Sequence, residues 1–221
     1  MMQGLLYGIR RFPVDLRNSD LFLLFLSIVL AVSAITGVTF LGDRLRLSIK
    51  QQAAVVLAAD VTLRSTAPIG PKYLSIAKGQ ELNTAETISF LSMTLHGGNS
   101  ILSSIKTTTP EYPLRGKLKL LDFNGQNIDK PTGSPMNGNV WAEQSLIDRF
   151  NIGKGDSITI GNKRFLVSAV LADFPDRNDG FLAFAPTVIA NIEDLDAMGV
   201  IQPGSRVVYR QLYSGLENQI D

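Results

Sequence analysis

The strongest constraint on the fold is an uncharged apolar stretch near the start of the chain. It covers residues 21–41, with the sequence LFLLFLSIVLAVSAITGVTFL. As an α-helix, a stretch of this length extends about 31 Å, which matches the hydrocarbon thickness of a bilayer. It lacks the polar stripe that a surface or core helix of a soluble protein carries. The sequence therefore predicts a transmembrane helix over residues 21–41.

A cleaved signal peptide is the alternative interpretation of this stretch. Val32-Ser33-Ala34 resembles a small-residue cleavage site. However, the apolar run begins only at residue 21 and continues to Leu41, so it starts later and is longer than a usual signal-peptide core. Both features favour a helix that spans the membrane.

Small side chains lie together on one side of the predicted span. At 100° per residue they fall opposite Phe25, Ile28 and Ile35. The small residues are Ser27, Ala31, Ser33, Ala34 and Gly37. Because small residues let helices approach closely in lipid, we expect this side to pack against further transmembrane helices. The chain has no second apolar stretch of this kind, so we expect those helices to come from outside it.

The segments on either side of the span have a different, amphipathic pattern. Residues 1–20 place Leu5, Ile9 and Phe12 on one face beside two arginines, which predicts a helix lying in the membrane interface. Residues 42–58 also read as an amphipathic extension, so that one helix would run from about Asp20 to Ala58. The alternative is a separate helix after a break at Gly42. Basic residues are equally numerous on both sides, and charge therefore does not choose an orientation.

Residues 59–221 predict a mixed domain of strands and short helices. Apolar alternation and turn residues indicate strands over 59–65, 84–95, 100–107, 117–123, 139–141, 156–160, 163–172, 181–185 and 205–212. Helices are predicted over 72–78, 143–150 and 187–198. Two pairs of strands read as hairpins, with Gly97-Gly98 and Gly161-Asn162 at their turns. We predict a membrane-anchored α+β fold in which the strands pair mostly antiparallel.

Composition excludes several classes of function. The sequence has no cysteine and a single histidine, which removes thiolate catalysis, cysteine zinc sites and most metal or triad arrangements. Its net charge of +1 offers no basic surface for nucleic acid. We therefore expect no cofactor, no bound metal and no nucleic-acid partner.

Three groups of residues have part of the pattern of a chemical site. Ser103 and Lys106 have the S-x-x-K spacing of a serine hydrolase, but the local pattern is that of a strand and the companion motifs are absent. His96 stands in a turn without nearby ligands, which is typical of a surface histidine. Asp173, Asp176 and Asp179 lack the spacing of a calcium loop, and we expect a solvated turn there. We expect no catalytic residues.

A glycine- and proline-containing pentapeptide stands out between two predicted strands. Its residues are Tyr112, Pro113, Leu114, Arg115 and Gly116. Proline and glycine favour a tight turn, and the guanidinium of Arg115 suits a carboxylate or carbonyl groups across it. We predict a structural role for this turn in preference to a partner contact.

Several short motifs, in this order and spacing, resemble the FtsX-like and MacB-like permeases of ABC transporters, and most closely the large YbbP-like predicted permeases. They are NSDL and FLGDRL around the span, then YPLRG, VWAE, IGKGDS and PGSRV, at residues 18–21, 40–45, 112–116, 140–143, 152–157 and 203–207. Together they extend over essentially the whole chain. We expect the domain after the span to be a MacB-like periplasmic core.

The resemblance implies a function and a set of partners. It implies a non-catalytic permease of the bacterial inner membrane, with residues 1–20 in the cytoplasm and the residues after about 42 in the periplasm. A separate cytoplasmic ABC ATPase would supply ATP hydrolysis, and membrane lipid and further transmembrane helices, or a second permease copy, would surround the span. The cargo would be lipid-like or amphipathic. The alternative is a single-pass anchored periplasmic binding or scaffold module.

Overall fold

A computed structural model of the chain describes residues 19–129, 133–177, 184–202 and 204–215. The chain divides into two compact units, residues 1–51 and residues 52–221. The interfacial helix predicted over residues 1–20 lies outside the described residues, except for Ser19 and Asp20, which begin the first helix.

Helix α1 (Ser19–Val56) is one unbroken helix of 38 residues. It confirms the prediction of a continuous helix and excludes a break at Gly42. Its part Phe22–Arg46 is long and apolar enough to cross a membrane, as judged by length and composition. Two hydroxyls in this part bond to the helix itself: Ser27 donates to the Leu24 carbonyl at 2.7 Å and Thr39 to the Ile35 carbonyl at 2.9 Å. The helix therefore carries these polar groups without exposing an unsatisfied donor.

The second unit alternates strands with short helices, as predicted for an α+β fold. Its strands are β1 (Val61–Ser65), β2 (Asn83–His96), β3 (Asn99–Thr108), β4 (Lys119–Leu121), β5 (Asn139–Glu143), β6 (Ser157–Ile160), β7 (Lys163–Asp173), β8 (Thr187–Asn191) and β9 (Val207–Ser214). Its helices are α2 (Pro71–Gly79), α3 (Gln144–Phe150) and α4 (Leu195–Met198), the last preceded by a 3₁₀ turn (Ile192–Asp194).

Six of these strands close into a ring. Around it the order is β2, β3, β8, β5, β7 and β6, and β6 returns to pair with the end of β2. The strand β9 pairs with the first part of β2 and carries β1 on its far side, while β4 pairs with β7. Only the β3–β8 and β5–β7 pairs are parallel among the described strands, which confirms the mostly antiparallel pairing.

The two faces of the ring build two separate cores, because successive residues of a strand point to opposite faces. Ile105 and Phe90 pair on the inner face, which α3 and Met198 cover to form the larger core. Lys106 and Ser89, one position along each strand, lie on the outer face. The outer face carries the second core, which includes apolar residues of several strands and of the segments after α1 and β3. Its members are Ala58, Ala59, Ala85, Tyr112, Leu118, Leu120, Trp141, Ala169, Leu171, Phe174, Ile189 and Leu212.

The segment after residue 180 differs from the prediction. Residues 187–198 do not form one helix, because Thr187–Asn191 is the strand β8, followed by the 3₁₀ turn and the four-residue α4. Every residue of β8 is buried, because Val188 and Ala190 face the larger core and Ile189 faces the second core, while β3 and β5 pair with its two edges. A strand buried on both faces has no polar alternation, and its apolar run is easily mistaken for a helix. The strand predicted over 181–185 is not found at its described residues, Phe184 and Ala185.

The hairpins were predicted correctly, and one strand was predicted too long. The two-residue turn between β2 and β3 has Gly97 and Gly98 at φ 56° and 84°, a conformation that glycine adopts without strain. The strand predicted over 117–123 shrinks to β4 (Lys119–Leu121). It stops there because the Asp122 carboxylate accepts the backbone N–H groups of Asn124 and Gln126, which closes a turn.

Candidate functional site

The end of α1 is closed by a local hydrogen-bonded cap. Ala58 adopts a left-handed conformation at φ 58°, and its N–H donates to the Val55 carbonyl at 3.2 Å. The Ala59 N–H reaches back to the Ala54 carbonyl at 3.1 Å. This is the Schellman arrangement, which usually places glycine where Ala58 stands. Ala58 and Ala59 are completely buried in the second core, so only small side chains fit at this point.

Two loops of the second unit bind the carbonyl groups that the cap leaves open. The Asp176 N–H donates to the Val56 carbonyl, and the Arg115 N–H donates to the Ala58 carbonyl, both at 2.9 Å. The last carbonyls of a helix have no partner within the helix and must find one elsewhere. We call these four residues, Val56, Ala58, Arg115 and Asp176, the helix-end site. They join the end of α1 to the loops that follow β3 and β7.

The side chain of Arg115 binds both Asp60, at the start of the domain, and Gly215, the last residue of the domain that the structure describes. Its Nε and Nη2 donate to the two carboxylate oxygens of Asp60 at 2.9 and 2.7 Å, and Nη2 also donates to the Gly215 carbonyl at 3.3 Å. The Gly215 N–H donates to the same carboxylate. The hydrogen bond to Asp60 raises the pKa of Arg115. The predicted turn of Tyr112 to Gly116 therefore lies beside the point where α1 joins the domain.

Tyr112, the first residue of that turn, is buried in the second core. Its hydroxyl donates to the Pro175 carbonyl at 2.8 Å, one residue before Asp176. Burial raises the pKa of Tyr112 well above its usual value of about 10; the charge of Asp176 raises it further, and Arg210 lowers it in part. The tyrosine therefore holds the loop after β7 against the loop after β3.

A buried group of three charged residues lies under the same loop. The Asp176 carboxylate accepts from Lys106 Nζ through Oδ2, at 3.0 Å, and from Arg210 Nη1 through Oδ1. Lys106 Nζ also donates to the Asp176 carbonyl. None of the three side chains is more than 8% exposed. We call Lys106, Asp176 and Arg210 the buried ion triad.

The environment of Lys106 is aromatic as well as ionic. Its Nζ lies 5.5 Å from the centre of the Tyr112 ring and 5.2 Å from that of Phe174. Both rings offer their negative faces to the ammonium group, which adds attraction in a site that water does not screen. The cation is thereby held from several directions.

The structure corrects the prediction of a solvated turn at one of the three aspartates, Asp176. Asp176 is buried and ionically paired, whereas Asp173 is exposed and its carboxylate accepts the Phe174 N–H. Asp179 lies outside the described residues. No local signal distinguishes Asp176, because its partners Lys106 and Arg210 are far away in the sequence and meet it only in the folded domain.

Ser103 and Lys106 do not form a catalytic pair. Both lie in β3, and residues three apart on a strand point to opposite faces. The Ser103 hydroxyl points toward the Ile101 carbonyl, at 3.4 Å, while Lys106 belongs to the buried ion triad. The hydrolase hypothesis therefore has no geometric support.

His96 is less exposed than a free turn histidine. It is half-buried at the end of β2, where it donates from Nδ1 to the Ser157 carbonyl at 2.8 Å and lies against the Phe150 ring. In the part of the chain that the structure describes, no group of three or more acidic, histidine or cysteine side chains is arranged to hold a metal.

The small residues of the predicted helix-packing side all lie on α1 and are exposed. They are Ser27, Ala31, Ser33, Ala34 and Gly37. An added Cβ at Gly37 would meet nothing within 4 Å among the described residues. The structure therefore leaves space on this side of the helix, and its role stays a prediction.

Comparison with known proteins identifies the family. The family model of the MacB-like periplasmic core domain matches residues 21–217. YbbP of Escherichia coli (strain K12), an uncharacterized ABC transporter permease, is 28% identical over 212 residues; the match covers 96% of this chain and 25% of YbbP, so the chain spans about a quarter of that relative.

Solved structures of similar domains were also found. The periplasmic region of MacB from Actinobacillus actinomycetemcomitans has a TM-score of 0.43 at 14% identity, with 68% of this chain and 73% of that one covered. The extracellular domain of the ABC-type transporter YknZ from Gram-positive bacteria has a TM-score of 0.47 at 10% identity, with 72% and 87% covered. The family match, which extends over most of the sequence, confirms the resemblance seen in the motifs. This chain belongs to the MacB-like periplasmic core domain family.

Proposed function

We propose that this chain is the N-terminal part of an ABC transporter permease subunit, which couples ATP hydrolysis by a separate cytoplasmic ATPase to a conformational change of its periplasmic domain. The observation that carries this proposal is the path of α1. The helix contains the apolar span, and its last carbonyl group is bound by a loop of the α+β unit. Because helical hydrogen bonds resist stretching, a displacement of the span is delivered to the helix-end site.

The proposed arrangement in the membrane follows the same order along the chain. Residues 1–20 lie on the cytoplasmic side of the inner membrane, residues 21–41 cross it, residues 42–58 project from it, and residues 59–221 form the periplasmic domain. Membership in the MacB-like periplasmic core family supports this orientation, which the charges around the span do not decide.

We propose that the small-residue side of the span is the contact for other helices of the transporter. These helices come from the rest of the permease or from a second permease copy, and lipid covers the other side, which carries Phe25, Ile28 and Ile35. The five small residues named above allow close approach. A leucine at Gly37 would fill the space that such a helix needs.

The chemistry of the domain supports a mechanical role. The charged residues nearest to α1 are engaged in structural ion pairs, and the candidate serine and lysine point to opposite faces. We propose that the chain is not itself an enzyme and uses no cofactor or nucleic acid. Its cargo is lipid-like or amphipathic, in keeping with a domain that is driven from the membrane.

The test is purification of the tagged, full reading frame from its native membrane in mild detergent, followed by an ATPase assay of the eluate. We expect a nucleotide-hydrolysing subunit to co-purify. Gly37→Leu, on the small-residue side, should reduce the amount of co-purifying ATPase subunit at least severalfold. Ile35→Leu, on the opposite side, should leave that amount unchanged.

The opposite result would favour a different function. If the chain is recovered alone and without ATPase activity, the proposal of a transporter is wrong. The single-pass anchored binding or scaffold module then becomes the better explanation, because the second unit has two apolar cores of its own.

A further inference from the structure

We propose that Asp176 is the residue through which the end of α1 is coupled to the central sheet. This inference rests on the proposed function for its use in transport, while its geometry belongs to residues 52–221 alone. Asp176 contacts α1 through its backbone and the sheet through its side chain. No other residue of the helix-end site is shown to do both within the described chain.

The backbone and the side chain of Asp176 point to different partners. The N–H donates at 2.9 Å to the carbonyl of Val56, which is the last residue of α1. The carboxylate binds Lys106 of β3 and Arg210 of β9. A displacement of the helix end therefore reaches both strands through a single residue.

The two cations lie on either side of β2. In the register of the sheet, Lys106 stands opposite Ser89, and Arg210 stands opposite Thr87, so both point to the same face as these two β2 residues. The Asp176 carboxylate therefore links the two cations across this strand, with Oδ2 binding Lys106 and Oδ1 binding Arg210. A movement of Asp176 changes the relation of β3 and β9 to the strand between them.

The same face offers the cations a second set of partners. The hydroxyls of Ser89 and Thr87 are buried and have no hydrogen-bond partner among the described residues. Directly opposed residues on neighbouring strands have Cβ atoms about 5 Å apart, within reach of a long cationic side chain. When Asp176 withdraws, these hydroxyls are acceptors for Lys106 and Arg210. These hydroxyls supply the partners for a second arrangement of the sheet, which a coupling element requires.

The other connection at the helix-end site is weaker. Arg115 also reaches the helix end, but its side chain is 44% exposed and pairs with Asp60, which is 20% exposed. Water and salt weaken such a pair, whereas the contacts of Asp176 are shielded from both. The buried connection is therefore the one that carries force into the sheet.

The first test uses the complete chain in detergent, without any partner. Val55→Gly loosens the last turn of α1, because glycine in a helix costs about 0.5–1 kcal/mol and so raises local opening by about two- to fivefold. Amide hydrogen exchange, followed by mass spectrometry, should then accelerate about two- to fivefold in β9 (Val207–Ser214). In an Asp176→Asn background, Val55→Gly should leave β9 exchange unchanged.

The substitution Asp176→Asn has a matched control three residues earlier, at the end of β7. Asparagine tolerates the left-handed backbone of Asp176, at φ 56°, and keeps the N–H that binds Val56. Asp173→Asn makes the same chemical change at an exposed position, and transmission to β9 should persist in it. The proposal is wrong if Val55→Gly accelerates β9 exchange equally in the Asp176→Asn and Asp173→Asn backgrounds. It is also wrong if Val55→Gly alone, with no other substitution, does not accelerate β9 exchange.

A second variant covers the case in which Asp176→Asn alone does not fold. In the triple variant K106M/D176N/R210M, apolar side chains replace the buried charges, a change that proteins often tolerate without loss of stability. It keeps the backbone contact of residue 176 with Val56 and removes the ionic tie to the strands. If Val55→Gly still accelerates β9 exchange in this folded variant, Asp176 is not the coupling residue.

The second test separates this inference from the proposed function. Amide hydrogen exchange of β9 is measured in membranes that contain the chain and the co-purifying ATPase subunit, with and without ATP. A nucleotide-dependent change that occurs in the unaltered chain and in Asp173→Asn, but not in Asp176→Asn, supports both proposals. If the unaltered chain shows no nucleotide response, the transporter proposal fails, and the exchange measured without a partner still decides the role of Asp176.

Discussion

The buried ion triad leads to a prediction in which removal of one charge is more harmful than removal of all three. Lys106 is completely buried, and Asp176 and Arg210 are 8% and 7% exposed. Removing one partner of a buried pair costs about 3–5 kcal/mol, because the remaining charge is left without compensation. Lys106→Met leaves Asp176 paired with Arg210, so we expect about 3 kcal/mol. Asp176→Asn strands two cations, and we expect about 5 kcal/mol.

The triple variant K106M/D176N/R210M should behave differently. It removes every charge of the triad together with the cost of burying them, and such replacements are often neutral or stabilising by about 1–4 kcal/mol. With a urea slope of about 2 kcal/mol/M, the unfolding midpoint should fall by about 1.5 M in Lys106→Met and about 2.5 M in Asp176→Asn. In the triple variant it should stay at or above the starting value.

The measurement is urea unfolding of the whole chain in detergent, followed by tryptophan fluorescence. Trp141 is the single tryptophan, it is 5% exposed, and it belongs to the same core as Tyr112 and Phe174. Its emission therefore reports the unfolding of the second unit. An unchanged midpoint in Asp176→Asn, or a triple variant as unstable as the single ones, would refute the reasoning that uncompensated charge is what costs stability here.

The same fluorescence assay checks three further predictions. Tyr112→Phe removes the hydrogen bond of a buried hydroxyl and should cost about 1 kcal/mol at neutral pH. Because the folded-state pKa of Tyr112 lies above the unfolded value of about 10, the unaltered chain loses stability as the pH rises above about 10, and the variant should lose less; equal losses in a pH series would contradict this. Gly133→Ala would place a Cβ 1.7 Å from the Tyr112 carbonyl oxygen and should cost at least about 2 kcal/mol, whereas Gly79→Ala, in the last turn of α2 and with nothing within 4 Å of its Cβ, should be neutral or slightly stabilising. Arg115→Ala should cost only about 0.5–1 kcal/mol because the pair with Asp60 is partly exposed, and Arg115→Lys should recover little of it, since lysine cannot make the two-pronged contact; a midpoint fully restored by lysine would argue against that geometry.

Local patterns predicted those parts of the fold that depend on neighbouring residues. The long helix follows from an uncharged run and its amphipathic continuation, and the hairpin of β2 and β3 follows from two alternating segments around Gly97-Gly98. By contrast, the apolar run of β8 predicts a helix, because its two faces are buried by two cores whose other residues lie far away in the sequence.

The helix-end site was predicted in part. The proline and glycine of the segment Tyr112 to Gly116 predict a turn, and the expectation that Arg115 binds a carboxylate or carbonyl agrees with its contacts to Asp60 and Gly215. Asp176 was expected in solvent, because an aspartate near a proline in a polar segment looks like an ordinary turn. Its cations lie within strands, where a lysine or arginine is usually on the exposed side.

The sequence by itself determined that residues 21–41 form a helix long and apolar enough to cross a membrane and that a mostly antiparallel α+β domain of the MacB-like family follows. These properties depend on runs and periods of adjacent residues. Only the tertiary structure decided how the end of that helix is held. Asp176, in one of the two loops that bind it, meets its buried partners Lys106 and Arg210 across 70 and 34 residues of chain. Their meeting depends on pairing between strands that are far apart in the chain, such as β2 with β9, which no local pattern records.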